Sequence, residues 1–495
     1  MTSRELYAPP PRGLRASLFS GQPAQRAAAT RVSAIAFAFA VLAVVVEFCI
    51  SGNTLTVLGI SYSEPGGSPF VKFHPATYLA VMGAVVALAE GSPQDRGLGY
   101  LLSKAPALLL FCVVIIFCTV FATVNVGLTG AGVYIDTYLS AGALAVVMAN
   151  ASARQRATLA RLILTLLLIN VLISLAEYVH QDHFIPLDVK TGDGKVVTDA
   201  QSDEFRPAAL YGHPLTGAMA TSFGVFLALA SGLRFTTVAG CFGVFAVGLL
   251  GFGGRAALVA TVGVLVLRVA VTFGRDLMRG RVNGRVLGTV LLSVSILGPV
   301  TVYLLTATPV GERLVARSYY DDSAEVRADQ WLVFDKLTPK QVMFGTPATD
   351  LQQIYEQVGL AGVENPLILV FLNLGIIGTP VFALGVISYF LYLRRAYPDS
   401  GWLLLAAILI LFSSNSIGVK SPDLFMMTAC AVTMKDQAGR RSLRVLRMLR
   451  PQILLSHLQP KGLVGEVQLR KSVMSIVRPN RGLSSRVAQR PDRAN

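Results

Sequence analysis

The segment Leu108–Val124, LLLFCVVIIFCTVFATV, is an apolar stretch without a single charged residue. A helix that crosses the hydrocarbon core of a bilayer needs about 20 predominantly apolar residues. Comparable runs recur at Leu159–Leu175, Leu287–Leu305 and Leu367–Leu393. Only 14% of the chain is charged, whereas soluble domains carry about a quarter. The sequence therefore predicts a protein that crosses a membrane several times.

We predict an all-α fold, a polytopic bundle of about 12 transmembrane helices. The apolar pattern is weakest for the second and fourth spans and for the last two. The predicted spans lie near residues 32–50, 73–90, 105–127, 131–150, 157–178, 215–231, 234–252, 256–273, 286–306, 366–393, 401–418 and 421–436.

Charge predicts how the bundle is oriented. Arginines cluster in alternate loops, for example around Arg154, Arg279 and Arg394, and loops rich in Lys and Arg stay in the cytoplasm. We therefore predict that both termini are cytoplasmic and that the loops 179–214 and 307–365 are periplasmic. The net charge of +15 suits anionic lipid, and we expect no nucleic acid partner.

The chain is thereby divided into three predicted parts. They are a basic cytoplasmic segment 1–31, a membrane domain 32–436 and a basic, partly disordered cytoplasmic tail 437–495.

Both long loops carry local structural signals. In the first loop, the segment Thr191–Lys195 indicates a turn between two short extended pieces. In the second loop, the apolar spacing within Ala324–Leu337 predicts an amphipathic helix. Thr349 and Gln352 have capping-box spacing for another helix that runs through Val358.

Four motifs all map to the predicted periplasmic face, where embedded charge points to a functional site. They are Arg206–Pro214 (RPAALYGHP), Gly253–Ala257 (GGRAA), Ser323–Arg327 (SAEVR) followed by Trp331, and Glu364–Leu367 (ENPL) followed by Leu374–Gly378 (LGIIG).

The order and spacing of these motifs resemble the O-antigen ligase and polymerase family of membrane glycosyltransferases, over roughly residues 200–395. Members move a glycan from a polyprenyl diphosphate carrier onto an acceptor hydroxyl outside the cytoplasm. Ligases of the family typically have a His where this chain has Glu364. The departure tilts the prediction towards a polymerase of exopolysaccharide or O-antigen repeat units in a bacterial inner membrane.

The resemblance implies roles for particular side chains. Arginines stay charged and bind phosphate through two donors, so Arg206, Arg255 and Arg327 are the candidate diphosphate ligands, with Arg317 in reserve. Glu364 is the candidate general base and His213 competes with it. The candidates for supporting roles are Asn365, Gly212 and Trp331.

The resemblance also implies an inverting single displacement. We expect no cofactor and no metal, because arginines can neutralise the departing phosphates. The expected partners are the lipid-linked glycan donor and acceptor, membrane lipids, a chain-length regulator and the export machinery.

Simpler interpretations stand beside these roles. Arg255 could anchor a helix end at the headgroups, Glu364 could cap a helix, and His213 could be a turn residue. We interpret Glu47, Asp136 and Glu177 as ordinary interface residues near helix ends, and His180 and His183 as solvated loop histidines.

Three other functions remain open. A ligase would transfer finished glycan to a lipid or protein acceptor. A flippase or secondary transporter could also have about 12 spans, although transporters usually bind substrate at the bilayer midplane. The third alternative is a structural role as a scaffold of an export complex.

Overall fold

A computed structural model describes residues 32–434, with gaps at 61, 63–67, 91–96, 187–188, 191–195, 198–204, 281–328, 361 and 364. The predicted span 286–306, much of the loop 307–365, the two terminal segments, the turn 191–195 and three candidate residues (Arg317, Arg327 and Glu364) lie outside the described residues.

The described fold is a bundle of α-helices. The helices are α1 Ala34–Cys49, α2 Gly52–Val57, α3 Pro75–Ala89, α4 Gly97–Lys104, α5 Pro106–Asn125, α6 (Leu128–Val133, the π-helical turn Tyr134–Leu139 and Ser140–Ala149), α7 Ala153–His180, α8 Pro214–Ala230, α9 Phe235–Phe252, α10 Arg255–Met278, α11 Pro339–Phe344, α12 Ala348–Val358, α13 Pro366–Ala396, α14 Gly401–Ser413 and α15 Asp423–Thr433. Short 3-10 turns lie at Pro69–Lys72, Ala209–Tyr211, Gln330–Lys336, Pro398–Ser400 and Asn415–Ile417.

The all-α membrane class is confirmed. Among the described residues, six helices are long and apolar enough to cross a bilayer: α5, α6 from Gly130, α7, α9, α10 to Arg275 and α13. Shorter apolar helices occupy the places of five further predicted spans. The total of about 12 spans and the periplasmic assignment stay predictions.

The loop predictions have mixed outcomes. Two short strands, β1 (Val189–Lys190) and β2 (Val196–Val197), pair antiparallel, which confirms the two extended pieces. The predicted helix ending at Val358 is confirmed. The prediction of a capping box between Thr349 and Gln352 is wrong, because the N-cap is Pro347, which makes no side-chain cap hydrogen bond. Within the described part of 324–337, a 3-10 turn replaces the expected α-helix.

Small residues allow the first two long elements to pack closely. On α1, Ala36 and Ala40 are fully buried, and α3 places Ala80 and Gly83 opposite them. A Cβ on Gly83 would lie 3.1 Å from the Phe39 Cβ and 3.3 Å from the Ala36 carbonyl oxygen. Interfaces of small residues are typical of helices packed in membranes.

Helix α13 is interrupted at Gly375, within the LGIIG motif. Gly375 has φ 61° and ψ −172°, and a Cβ there would lie 2.4 Å from the Met343 carbonyl carbon. The break leaves a carbonyl without its helical partner, and Thr346 N donates to that oxygen, Leu372 O, at 2.7 Å. Glycine is therefore required where the α11 segment docks onto α13.

Candidate functional site

A cavity of about 450 Å³ opens at one end of the bundle. Its wall is formed by the end of α1 with the start of α2, by Tyr62 and the residue before α3, by the π-helical turn of α6, by the 3-10 turn Ala209–Tyr211 with the start of α8, and by the loop 414–422 with the start of α15. Most of the polar side chains that line it are buried. A membrane protein tolerates buried charge where charges pair or line a cavity.

Glu47 and His74 form a buried pair in this wall. The Glu47 Oε2 atom lies 3.0 Å from His74 Nδ1, and the Ile50 carbonyl lies 2.9 Å from Nε2. Burial lowers the pKa of His74, but the nearby Glu47 charge and the Ile50 carbonyl raise it, to about 8. The protonated ring then donates through Nε2 to the Ile50 carbonyl and pairs its charge with Glu47, which outweighs the longer 3.3 Å approach of Ala76 N to Nδ1.

Asp136 organises the neighbouring wall. Its Oδ1 accepts from His74 N at 3.0 Å and from Thr77 Oγ1 at 2.8 Å. Its Oδ2 accepts from the Tyr62 hydroxyl at 2.9 Å. The π-helical turn of α6 carries this carboxylate, and such turns frequently occur at functional sites. Both carboxylate oxygens thus accept hydrogen bonds, and Asp136 connects α6 with the start of α3 and with Tyr62.

Lys420 is the cation of the loop 414–422. Its Nζ donates to Lys72 O at 2.7 Å and lies 4.6 Å from the centroid of the Tyr62 ring. Burial lowers the pKa of Lys420, while the charge of Asp136 opposes that change. A Cβ on Gly132 would lie 2.4 Å from the Lys420 Cε, so glycine leaves the room this side chain occupies.

Residues of the π-helical turn also hold that loop in place. Thr137 Oγ1 donates to Val419 O at 3.1 Å and accepts from Ser421 N at 2.9 Å. The Tyr138 hydroxyl donates to Ile417 O at 2.7 Å. At the end of the loop, the Ser421 hydroxyl donates to Oδ2 of Asp423, the first residue of α15.

The loop that carries the RPAALYGHP motif is positioned by two buried polar residues of α7. Glu177 Oε2 accepts from Ala208 N and Ala209 N, both at 2.8 Å, and its Oε1 accepts from Phe184 N at 3.0 Å. Asn170 accepts from Leu210 N at 3.2 Å. Backbone donors that would otherwise be buried without partners are thus satisfied, which fixes the approach to α8.

Gly212 brings this loop against the cavity wall. It has φ 68°, in the left-handed region. A Cβ there would lie 2.6 Å from the Ser51 Oγ, and Asn53 Nδ2 donates to Gly212 O at 3.0 Å. Glycine is required both by the backbone conformation and by the close approach.

His213 is exposed at the mouth of the cavity and is the N-cap of α8. Its Nδ1 accepts from Leu215 N at 3.2 Å, so the neutral ring presents Nε2–H. The residue belongs to the lining of the cavity.

Arg206 and Arg255 lie around the start of α8. A Cβ on Gly253 would lie 3.8 Å from both the Cδ and the Nε of Arg206. A Cβ on Gly254 would lie 2.3 Å from the Ala218 Cβ of α8, and Arg255 follows as the first residue of α10. Neither arginine is among the described residues that line the cavity. The structure thus brings Gly212 and His213 to the cavity and sets Arg206 beside the α9–α10 link.

The other described candidates lie on α13 and on the 3-10 turn Gln330–Lys336. Asn365 caps α13, where its Oδ1 accepts from Leu367 N at 3.0 Å, and Asn365 N donates to Gln330 Oε1 at 3.0 Å. Trp331 is 60% exposed and stacks on Phe334, with ring centroids 5.6 Å apart. In the described ranges, no group of three or more His, Cys, Asp or Glu residues is arranged to hold a metal.

The interpretation of Glu47, Asp136 and Glu177 as ordinary interface residues is wrong. Their exposed fractions are 7%, 4% and 0%, and each is tied into the network at this end of the bundle. One signal was available: all three are acids at the predicted periplasmic ends of apolar segments. His74, Lys420 and Asp423 gave no motif, and only the fold brings them together.

A comparison of the chain with protein-family models and with curated proteins found no match. The resemblance to the O-antigen family therefore rests on the four motifs.

Proposed function

We propose that this protein is a membrane glycosyltransferase that polymerises polyprenyl-diphosphate-linked repeat units into an exopolysaccharide or O-antigen. The observation that carries the proposal is that the polar cavity and the candidate residues lie together at one end of the bundle. There, the cavity, its His213 mouth and the links bearing Arg206 and Arg255 adjoin the start of α8. A lipid-linked diphosphate meets a protein at such an end, where the headgroup region begins.

In the proposed reaction, an acceptor sugar hydroxyl attacks the anomeric carbon of the donor. The new glycosidic C–O bond forms as the bond to the diphosphate breaks, and the hydroxyl proton passes to a base. We assign that base to Glu364. Arg206 and Arg255, with Arg327 and Arg317, would neutralise the departing diphosphate, and the Nε2–H of His213 would donate to one of its oxygens.

Deletion of the protein in its host tests the proposal. We expect long polymer to disappear while single repeat units accumulate on the carrier lipid or cap an otherwise normal acceptor. Lipid-linked and extracellular glycans separated by size give the readout. Polymer of normal length stranded on the carrier would instead identify a ligase, and unchanged glycans would refute both.

The site assignment is tested by complementing the deletion with variants. Arg206→Ala and Arg255→Ala should restore little polymer, because the leaving group loses a fixed cation. The matched control is Arg394→Ala, which removes an exposed arginine from the last turn of α13, at its predicted cytoplasmic end. Full activity in both test variants would refute the assignment.

A transporter is the second candidate, and one observation favours it. Helix α13 is discontinuous at Gly375, and transporters commonly build substrate sites from interrupted helices. The purified protein in liposomes separates the two: a polymerase elongates lipid-linked repeat units supplied on one side, whereas a transporter changes their sidedness and leaves their length unaltered.

A further inference from the structure

Three buried polar atoms in the cavity wall lack hydrogen-bond partners among the described residues. They are Glu47 Oε2, Tyr211 Oη and Asp423 Oδ1. Their side chains belong to residues that are 7%, 6% and 2% exposed, and they come from α1, the 3-10 turn before α8 and α15. A buried polar group without a partner is costly, and three in one cavity indicate an occupant that supplies donors.

The surroundings of each atom leave it available. Glu47 Oε2 is at ion-pair distance from His74, 3.0 Å, but outside hydrogen-bond geometry. At Asp423, the Ser421 hydroxyl donates a hydrogen bond to the other carboxyl oxygen, Oδ2. Ser416 and Thr216 adjoin that carboxyl without a hydrogen bond of normal geometry to Oδ1.

The charges in the wall select against a phosphate in this cavity. His74 offsets Glu47, and Lys420 lies near Asp136, donating instead to a backbone carbonyl. Asp423 then adds a carboxyl with no matching cation in the wall among the described residues. An anionic ligand would meet no surplus of positive charge, whereas a neutral ligand rich in hydroxyl donors would satisfy the two carboxylates and the tyrosine.

We infer that the cavity is a binding subsite for a neutral sugar unit, whose hydroxyls donate to Glu47 and Asp423 and hydrogen bond with Tyr211. The inference rests on the proposed function, in which this unit is the end of the acceptor glycan. The cavity volume of about 450 Å³ lies within the range of small-molecule sites. Apolar wall residues such as Met426 and Val419 can face the C–H side of a sugar ring.

Tyr211→Phe provides the sharpest test. It removes only a hydroxyl that bonds to no described residue, so the fold should lose nothing. Tyr134→Phe is the matched control, because the Tyr134 hydroxyl is also buried without a partner but does not line the cavity. Both variants should therefore retain the melting temperature of the unmodified chain.

Binding would be measured on the full chain in nanodiscs, by calorimetry and saturation-transfer NMR. The probe is the set of oligosaccharides released from the host's extracellular polysaccharide by mild acid. Tyr211→Phe and Asp423→Asn should weaken binding about tenfold, as expected for loss of one hydrogen bond. Tyr134→Phe should bind as the unmodified chain does. Equal affinity in all forms, or no binding by the unmodified chain, would overturn the subsite.

The same variants in the deletion host separate this inference from the proposed function. If deletion abolishes polymer but Tyr211→Phe and Asp423→Asn bind sugar and polymerise normally, the subsite fails and the polymerase stands. If deletion leaves the glycans unchanged while the purified chain binds the oligosaccharides through Tyr211, the polymerase fails and a sugar subsite remains.

Discussion

Helices α6 and α10 are both long enough to cross a bilayer, yet they occupy opposite environments. In α6, 89% of the most apolar window is buried, whereas in α10 the share is 22%. The more buried helix also has the lower mean hydropathy. In a membrane, lipid selects apolar residues on the outside, and polar groups gather where helices meet. Hydropathy therefore reports exposure to lipid, and the buried polar network around Asp136 lies where hydropathy is weaker.

The largest effect expected from the difference between α6 and α10 is that of Asp136→Ala in α6. The variant removes the acceptor of hydrogen bonds from His74, Thr77 and Tyr62. Loss of a buried charged partner costs about 3–5 kcal/mol, so we expect that decrease in the free energy of unfolding. SDS-induced unfolding of the purified protein is the measurement. Asp399→Ala, at an exposed position, is the control, and equal stability of the two variants would contradict the comparison.

Glu177→Gln tests whether the central network also positions the motif loop. The amide would place an N–H₂ group against backbone donors that now bond to a carboxylate. We expect a loss of about 2–3 kcal/mol, the contribution of hydrogen bonds to a charged group, together with reduced polymer output. Glu356→Gln, on the exposed side of α12, should change neither quantity. Normal polymer from Glu177→Gln would show that the loop does not need this anchor.

The Glu47–His74 pair predicts a pH dependence of stability. The pKa of His74 is raised to about 8 in the folded protein from 6.5. The pair therefore contributes its full stabilisation below pH 6.5, and the contribution is lost as the pH rises through 8. The rise of this pKa from 6.5 to about 8 corresponds to about 2 kcal/mol.

SDS unfolding of the unmodified chain and of His74→Gln between pH 6 and pH 9 measures this contribution. The variant should lose the decline that the unmodified chain shows in that window. Parallel curves for the two proteins would exclude His74 as its source.

A matched pair of Val→Ala substitutions sharpens the comparison most directly. Val147 in α6 is fully buried, whereas Val259 in α10 is 70% exposed. We expect Val147→Ala to lower the free energy of unfolding by about 1–2 kcal/mol, because packing partners are lost. Val259→Ala faces lipid and should change it by less than about 0.5 kcal/mol. Equal effects would mean that α10 is covered by a partner.

The sequence predicted the class and the positions of the longer apolar helices because apolar length is a local property. Segment 157–178, for example, appears as α7. The weakest patterns included the fourth predicted span, which is α6, since its polar residues face neighbouring helices and dilute the apolar signal.

The candidate site was predicted only in part. Gly212 and His213 lie in one motif, so local spacing sufficed to find them. The pairing of Glu47 with His74 and the approach of Lys420 to Asp136 join residues far apart in the chain. No periodicity encodes such long-range contacts, and Asp423 gave no signal before the fold placed it in the cavity wall.

The composition of α6 has a consequence for how the protein is made. A segment inserts into the bilayer according to its own apolar free energy, and an aspartate near the membrane counts against insertion. With Asp136 and a low mean hydropathy, α6 enters lipid less readily than α5 or α7. Its stable insertion during synthesis therefore depends more on its neighbours than the insertion of α5 or α7 does.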